Sequence, residues 1–345
     1  MTERRRIAIL MGGRSSEHEV SLVSGASVAK ALDPDRYEVM PVLISRDGEW
    51  SLDGTPVALV PGSSATGVLA ALDGSPSRLV DVVFPALHGP FGEDGTVQGL
   101  CEIAGVAYVG PGVGASAIAM DKALFKSVAR THDIPVIDST VVTAAEWHDE
   151  PDVARARIVR ELSYPLFTKP ARLGSSVGIS RVAGREELDA AIELALRHDP
   201  KVLVERGMVG REVEVGVLGN DDLVISPVGE IGYDSEWYDY DTKYLPDRMH
   251  LTVPANLPDA TATRLRDIAR RAFTAIGCAG MARVDFFVEA GGDIRVLEVN
   301  TIPGFTPTSV YSKLFEAAGI AYRDLVERLV DLGIAAHAER ARYLG

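Results

Sequence analysis

Ala282–Phe305, ARVDFFVEAGGDIRVLEVNTIPGF, sets two runs of β-branched and aromatic residues on either side of Gly291-Gly292. A two-residue glycine loop between such runs predicts a β-hairpin, because tight primed turns need positive φ. With those glycines as the loop, Asp285 faces Glu298 and Arg283 faces Asn300. The strand period of two places these four side chains on one face and sends Val284, Phe286 and Val299 to the other. Directly opposed residues have Cβ atoms roughly 4.5–5.5 Å apart, and like charges there repel. Two carboxylates and an amide oxygen beside an arginine are reconciled by a hard cation among them. Mg2+ takes such oxygen ligands and keeps waters and substrate phosphates as the rest of its shell. A solvated strand face would carry the same letters, so the hairpin has to be read with the rest of the chain.

The chain of 345 residues is long enough for two or three domains with real cores. Hydrophobic residues at 46% and charged residues at 24% are ordinary for a soluble globular protein. A net charge of −14 argues against nucleic acid or an anionic membrane as the main partner, while leaving room for local phosphate pockets. Cys101 and Cys278 are far apart in apolar patterns, with neither metal spacing nor a disulfide framework, which suits a reducing cytosol. The apolar run in MTERRRIAILMGG reads as a first strand, too short for a signal core or a membrane span.

Upstream, RIAIL, YEVMPVLI, DVVFPAL and VAYVG read as strands, with helices over SLVSGASVAKAL and TVQGLCEIAG. That alternation predicts a parallel sheet with helices on its faces, and ligands beyond the carboxyl ends of its strands. Two loops leave such ends, Gly12–Glu19 and Leu87–Gly95. In the first, Ser16 and Glu19 also spell a capping box, with Glu17 a first-turn glutamate favoured by the helix dipole. His18 lacks a second histidine four residues on, which excludes a zincin. Gly110–Gly114 reads as a domain boundary, since G-x-G-x-x-G is absent.

The middle of the chain predicts a helix over MDKALFKSVARTHD, a strand at YPLFTKP, a glycine- and serine-rich tip, a second strand at ISRV and a helix over EELDAAIELALRH. Gly174, Ser176 and Gly178 formally make G-x-S-x-G, but a nucleophile elbow needs a helix directly after the serine, and ISRV is β-like. A hairpin tip of this composition can instead fold over phosphates, with Lys122 and Lys169 supplying charge. A Walker motif is absent. Two strands are expected in VLVERGMVGREVEVGVLG. The aromatic segment GEIGYDSEWYDYDTKYLPDRMH has no clean period and reads as a long functional loop or lid. The helix TATRLRDIARRAFTAIG precedes the opening hairpin, and a mostly helical tail ends the chain.

Seven segments, GGRSSEHEVS, ALHGPFGEDGTVQG, MDKALFK, KPARLGSSVGIS, YDYDTKY, ARVDFF and LEVNTIPGFT, occur in one order. Together they resemble the ATP-grasp superfamily and, within it, the D-alanine–D-alanine ligases, from the first strand to the last helix. The resemblance implies an α/β fold, α+β in the ATP-binding part, in three domains. These would be an N-terminal doubly wound parallel-sheet domain (1–115), a central ATP-grasp domain with a phosphate-covering hairpin (116–205) and a C-terminal ATP-grasp domain with lid and metal hairpin (206–345). It implies ATP-dependent joining of two D-alanines through an acylphosphate, for peptidoglycan precursors; the alternative is a ligase joining D-alanine to another D-amino or D-hydroxy acid.

The resemblance also implies roles for single residues. Asp285, Glu298 and Asn300 hold Mg2+, two ions with Mn2+ as a substitute. Lys122, Lys169 and Lys243 hold phosphates, Lys243 near the transferred one. Glu205, Arg206 and Met208 border adenine, and Glu212 takes the ribose hydroxyls. Glu17 binds the ammonium of the first D-alanine, with His88 beside it, and joins Ser175 and Tyr244 in a hydrogen-bonded set. Arg283 and the Gly304 N–H face the oxyanion, while Ser309 and Lys243 receive the second carboxylate. Tyr244 favours a dipeptide product, because relatives that accept D-lactate often carry Phe there. No catalytic position departs from the family pattern; Arg206 and the loop around Ser309 are places where relatives vary. D-alanine and ATP are then the substrates, with no nucleic acid and no membrane, in a cytoplasmic homodimer. Two readings from other classes stand beside it: a serine hydrolase using Ser176, and a non-catalytic D-alanine-binding protein.

Overall fold

A computed structural model describes residues 4–62, 66–174, 177–233 and 249–343. Among them the strands form three sheets. The first begins with β1 (Arg5–Gly12), followed by helix α1 (His18–Ala31) and β2 (Tyr37–Ile44). Strands β3 (Trp50–Leu52), β4 (Thr55–Pro61), β5 (Gly67–Ala71) and β6 (Arg78–Val80) come next, then β7 (Val82–Pro85), α2 (Thr96–Ala104) and β8 (Ala107–Tyr108). The order is β6-β5-β4-β3-β2-β1-β7-β8. The β2-β1-β7-β8 half is parallel, as the alternation predicts. The β3–β6 half is an antiparallel ribbon that the sequence reading did not anticipate, because its short runs lie between Gly, Pro and Ser punctuation. β1 is buried on both faces, as a central parallel strand must be: Ile7 and Ile9 enter one core, Ala8 and Leu10 the other.

The second sheet, order β11-β10-β12-β9, contains β9 (Ser139–Thr143), β10 (Leu166–Pro170), β11 (Ser180–Val182) and β12 (Lys201–Arg206). Helices α5 (Ala144–Asp149), α6 (Pro151–Glu161) and α7 (Leu188–Leu196) accompany it, and α6 and α7 close its core. β11 pairs antiparallel with β10, so the segment after Gly178 is a strand and the elbow reading fails.

The third sheet runs β16-β15-β13-β17-β18, with β14 on β13. Its strands are β13 (Gly210–Gly219), β14 (Val224–Ile225), β15 (Gly229–Tyr233), β16 (Met249–Thr252), β17 (Gly280–Glu289) and β18 (Ile294–Asn300). One face packs on α8 (Asp259–Ala275), α3 (Val113–Met120) and α4 (Lys122–Thr131). Leu265, Ile268, Ala269, Ala272 and Phe273 of α8 are buried at the i, i+3, i+4, i+7, i+8 spacing of an apolar stripe. Helices α9 (Val310–Ala317) and α10 (Tyr322–Ala341) pack into the core of the first sheet. β15 and β16 pair antiparallel, so both ends of the supposed irregular lid are regular strand; residues 234–248 between them lie outside the described residues.

The hairpin loop is one residue longer than Gly291-Gly292. Val288 pairs with Ile294, and Glu289 N–H donates to Asp293 O at 2.9 Å, leaving Ala290, Gly291 and Gly292 as the turn. A bulge at Leu297 compensates, since Phe286 pairs with Val296 but Asp285 with Glu298. Beyond the bulge the expected register holds, Arg283 opposite Asn300. α1 also starts later than a capping box at Ser16 would place it: Glu17 is the N-cap with no side-chain cap bond, and its N–H donates to Ser15 Oγ at 3.1 Å. No helix among the described residues is long and apolar enough to cross a membrane.

Candidate active site

The free face of the third sheet gathers the hairpin's charges. β13 sets Glu214 opposite Asp285 and Gly216 opposite Arg283. Arg283 donates from Nε and Nη2 to the two Asp285 oxygens, each at 2.7 Å, and its Nε lies 3.0 Å from Glu214 Oε2. Burial alone would disfavour the guanidinium charge, but the Asp285 and Glu214 carboxylates outweigh it and hold its pKa well above the usual arginine value. Nη1 takes no part in these bonds. Lys122, at the first position of α4, places Nζ 3.0 Å from Glu298 Oε2 and donates to Leu173 O at 2.8 Å. Asn300 Oδ1 is buried with no hydrogen-bond partner among the described residues. An acceptor left so costs about 1–3 kcal/mol, and a hard cation would remove that cost. Two carboxylates and this amide oxygen therefore fit a divalent metal. Glu212 lies two residues before Glu214, on the same face of β13.

The second sheet carries a different charge set. Lys169 on β10 faces Leu203 and Glu205 on β12 faces Phe167, so the two charged residues are diagonal neighbours on one face. Lys169 Nζ lies 2.5 Å from Glu205 Oε2, and Lys126 Nζ from α4 lies 2.7 Å from Oε1. Burial would raise the Glu205 carboxyl, but the two ammonium groups hold it down at about 2. Arg206 turns instead toward Glu289, 3.3 Å, and Asp138, 3.6 Å. Met208 is half-buried in the stretch joining β12 to β13.

The loops of the first sheet reach the other two, Glu17 to Gly174 and His88 to Ile302. Gly89 has φ +74, and a Cβ there would come 2.8 Å from Glu17 Oε2, so this position needs glycine twice over. The Glu17 carboxylate also borders Gly174, where a Cβ would sit 3.6 Å away. His88 is buried with both ring nitrogens engaged: Nδ1 is 3.0 Å from Ile302 O and Nε2 2.9 Å from Ser24 Oγ. A carbonyl only accepts, which assigns the proton to Nδ1 and makes Nε2 the acceptor of the Ser24 hydroxyl. Ser24 Oγ in turn accepts Phe305 N–H at 3.3 Å. Burial lowers the His88 pKa and keeps the ring neutral. The chain of bonds steadies residues 302–305, where Gly304 N–H finds no acceptor among the described residues. A Cβ on Gly304 would approach Ser309 Oγ to 3.2 Å, and that hydroxyl accepts Thr306 N–H at 3.0 Å.

Residues 6–111 match the family model described as D-ala D-ala ligase N-terminus, and residues 128–331 the one described as D-ala D-ala ligase C-terminus. The chain belongs to the D-alanine–D-alanine ligase family. The D-alanine–D-alanine ligase of Deinococcus radiodurans is 51% identical over 336 residues, covering 96% of this chain and 99% of the relative. That of Mycolicibacterium smegmatis is 45% identical over 366 residues, covering 96% of each. Among solved structures, the D-alanine–D-alanine ligase of Coxiella burnetii superposes with a TM-score of 0.88 at 33% identity, over 99% of this chain and 97% of that one. The VanG D-Ala:D-Ser ligase of Enterococcus faecalis gives 0.86 at 35% identity, over 96% and 100%. The mixed α/β architecture is thus that of the D-alanine–D-alanine ligases, the ATP-grasp fold, and the family uses ATP. The hydrolase and the non-catalytic binder are set aside.

Of the residues the ligase resemblance singles out, Glu17, His88, Lys122, Arg283, Asp285, Glu298, Asn300, Gly304 and Ser309 come together in one region, linked by the contacts above. Ser175, Lys243 and Tyr244 lie outside the described residues. Three charged residues beside this set, Glu214, Lys126 and Glu93, have no role implied by the sequence. Glu214 is signalled by the EVEV alternation of β13, which sets an acid on the face opposite buried valines. Lys126 falls on the buried face of α4 with Ala123, Phe125 and Ala129, a place for an apolar side chain. Glu93 Oε2 accepts Gly89 N–H at 2.6 Å, and burial, reinforced by the Glu17 charge, pushes its carboxyl up to about 8. Within the Glu-Asp-Gly loop nothing distinguishes it from a turn residue.

Proposed function

We propose that this chain joins two D-alanines to D-alanyl-D-alanine with conversion of ATP to ADP and phosphate, for peptidoglycan precursor synthesis. The single observation that carries the mechanism is the third-sheet face, where Arg283, Asp285 and Glu298 lie in register with the orphaned Asn300 oxygen. A carboxylate resists an amine, so the first D-alanine must become an anhydride. Glu17 receives its ammonium, and one carboxylate oxygen attacks the γ-phosphorus while the bond to ADP breaks. Lys122, Lys169 and Lys243 hold the phosphates; Glu205, Arg206 and Met208 border the base, and Glu212 the ribose. The amine of the second D-alanine then forms the C–N bond, losing a proton, and phosphate departs with the C–O pair. Arg283 Nη1 and Gly304 N–H meet the oxyanion of that step. Ser309 and Lys243 receive the second carboxylate.

Asp285, Glu298 and Asn300 would hold Mg2+, as two ions replaceable by Mn2+, which when bound offset charge growing on the transferred group. Glu17, Ser175 and Tyr244 link the loops into a closed state that keeps water from the acylphosphate. His88 serves by positioning, since both its nitrogens already have protein partners. The three sheets support domains at 1–115, 116–205 and 206–345. A cytoplasmic homodimer completes the proposal.

The likeness to a D-Ala:D-Ser ligase supports a second reading, in which D-alanine is joined to another D-amino or D-hydroxy acid. Phosphate release from ATP and Mg2+ with D-alanine alone, or with added D-serine, D-lactate or L-alanine, separates the two. Release with D-alanine alone and a dipeptide in the mass spectrum is expected. Release only on addition of a second acid would select the other reading, and no release at all would overturn both.

A further inference from the structure

Lys126 has no place in the reaction above, yet it is a fully buried lysine in the wall of the cleft. Its ammonium lies 2.7 Å from Glu205 Oε1 and donates to Ile137 O at 3.3 Å. Glu205 therefore has one ammonium behind it, from α4, and another beside it, Lys169 at 2.5 Å. Side-chain exposure is 0% for Lys126, 3% for Glu205 and 11% for Lys169, so of the three only Lys169 reaches the cleft. Buried charges persist only with counter-charges close by. A single carboxylate balances one ammonium, and this wall holds two, so among the described residues one positive charge is left without a carboxylate of its own.

We propose that Lys126 is a positioning residue for the nucleotide: by neutralising Glu205 from behind, it leaves the charge of Lys169 available to the phosphates of ATP. Without Lys126, Glu205 and Lys169 would close into a neutral pair, and a phosphate would have to compete with a buried carboxylate for the one ammonium left. The inference rests on the reading of Lys169 as a phosphate ligand. It assigns Glu205 a side-chain duty toward the lysines, separate from any contact its backbone makes with the base. α4 then contributes twice, with Lys122 reaching toward Glu298 and Lys126, one turn later, toward Glu205.

The test compares binding of ATP with Mg2+ and binding of adenosine by calorimetry, in the full-length chain. The readout is the ratio of their affinities, which a loss of general structure does not move. Lys169→Met must lower that ratio; if it does not, the reading of Lys169 fails and the inference with it. Lys126→Met is expected to lower the ratio roughly tenfold, with adenosine changed by less than about twofold. Lys126→Met combined with Glu205→Gln should bring the ratio back toward the parent, because the competing carboxylate is gone. Should Lys126→Met fail to fold, Glu205→Gln alone decides: a ratio equal to or above the parent's is expected, and a fall contradicts the proposal. A parental ratio in Lys126→Met beside a lowered one in Lys169→Met would overturn the inference while sparing the ligand. Equal weakening of ATP and adenosine in Lys126→Met would also overturn it, showing a structural role only.

Discussion

Two sheets gather charged side chains with opposite majorities among the described residues. On the third sheet, Glu214, Asp285 and Glu298 share the cations Arg283 and Lys122. On the second, Lys126 and Lys169 share the single carboxylate of Glu205. Among the described residues carboxylates outnumber cations in the first set and ammonium groups outnumber carboxylates in the second, and a buried charge is costly unless an opposite one neutralises it. An acidic majority attracts a cation and a basic majority an anion. A metal–nucleotide complex carries both, and Lys122 stands between the walls, touching Glu298 and the carbonyl of Leu173. The contrast teaches that charge surplus, read wall by wall, says more about the ligand than the number of ion pairs does.

Breaking the negative wall should cost most. Glu298→Gln keeps the shape and removes the charge opposite Asp285, and kcat for phosphate release should fall about 10^3-fold with the melting temperature little changed. Turnover near the parent's would separate the carboxylates from the chemistry. Arg283→Lys sharpens the same wall, since a lysine cannot repeat the paired bonds to Asp285 while offering a further nitrogen. Steady-state kinetics should show kcat lower by about 10^2-fold with KM for ATP nearly unchanged.

Away from both walls the effects shrink. Ser24→Ala removes the hydroxyl between Phe305 N–H and His88. A loss of about tenfold in kcat is expected as Gly304 loosens, with about 1 kcal/mol of stability lost in urea unfolding. An unchanged kcat would free residues 302–305 from this network. The smallest effect on turnover belongs to Glu93→Gln. The folded Glu93 carboxyl keeps its proton to about 8 against an ordinary 4.5, so the unfolded chain ionises first as pH rises. The parent therefore loses stability through that window, and glutamine does not. Thermal melts from about pH 5 to about pH 9 should show the variant gaining on the parent as pH increases. A constant gap would mean Glu93 is not shielded.

How much of this was legible in sequence depended on distance along the chain. The negative wall is built by one hairpin and its neighbour, so alternation and a glycine turn were enough to set Asp285 against Glu298 and Arg283 against Asn300. Even there the turn is one residue longer than the glycine pair, and the register agrees because the Leu297 bulge restores it. Bulges leave little trace in a short apolar run. The parallel half of the first sheet was legible because its strands alternate with amphipathic helices, whereas the β3–β6 ribbon has short strands divided by turn residues. The positive wall was not legible as a wall. Lys169 and Glu205 meet by pairing of β10 with β12, and Lys126 joins them from a helix that packs on another sheet. His88 shows the same limit, because its neutral state follows from burial and from partners on α1 and the 302–305 loop.

In the proposed reading the third-sheet face receives the metal. Calorimetric titration of Mg2+ into the enzyme with a non-hydrolysable ATP analogue, for the parent, Asp285→Asn and Glu298→Gln, tests it most directly. Saturable binding by the parent and its loss or severe weakening in both variants is the predicted result. Parental Mg2+ affinity in both variants would contradict the account and leave the paired carboxylates without a function.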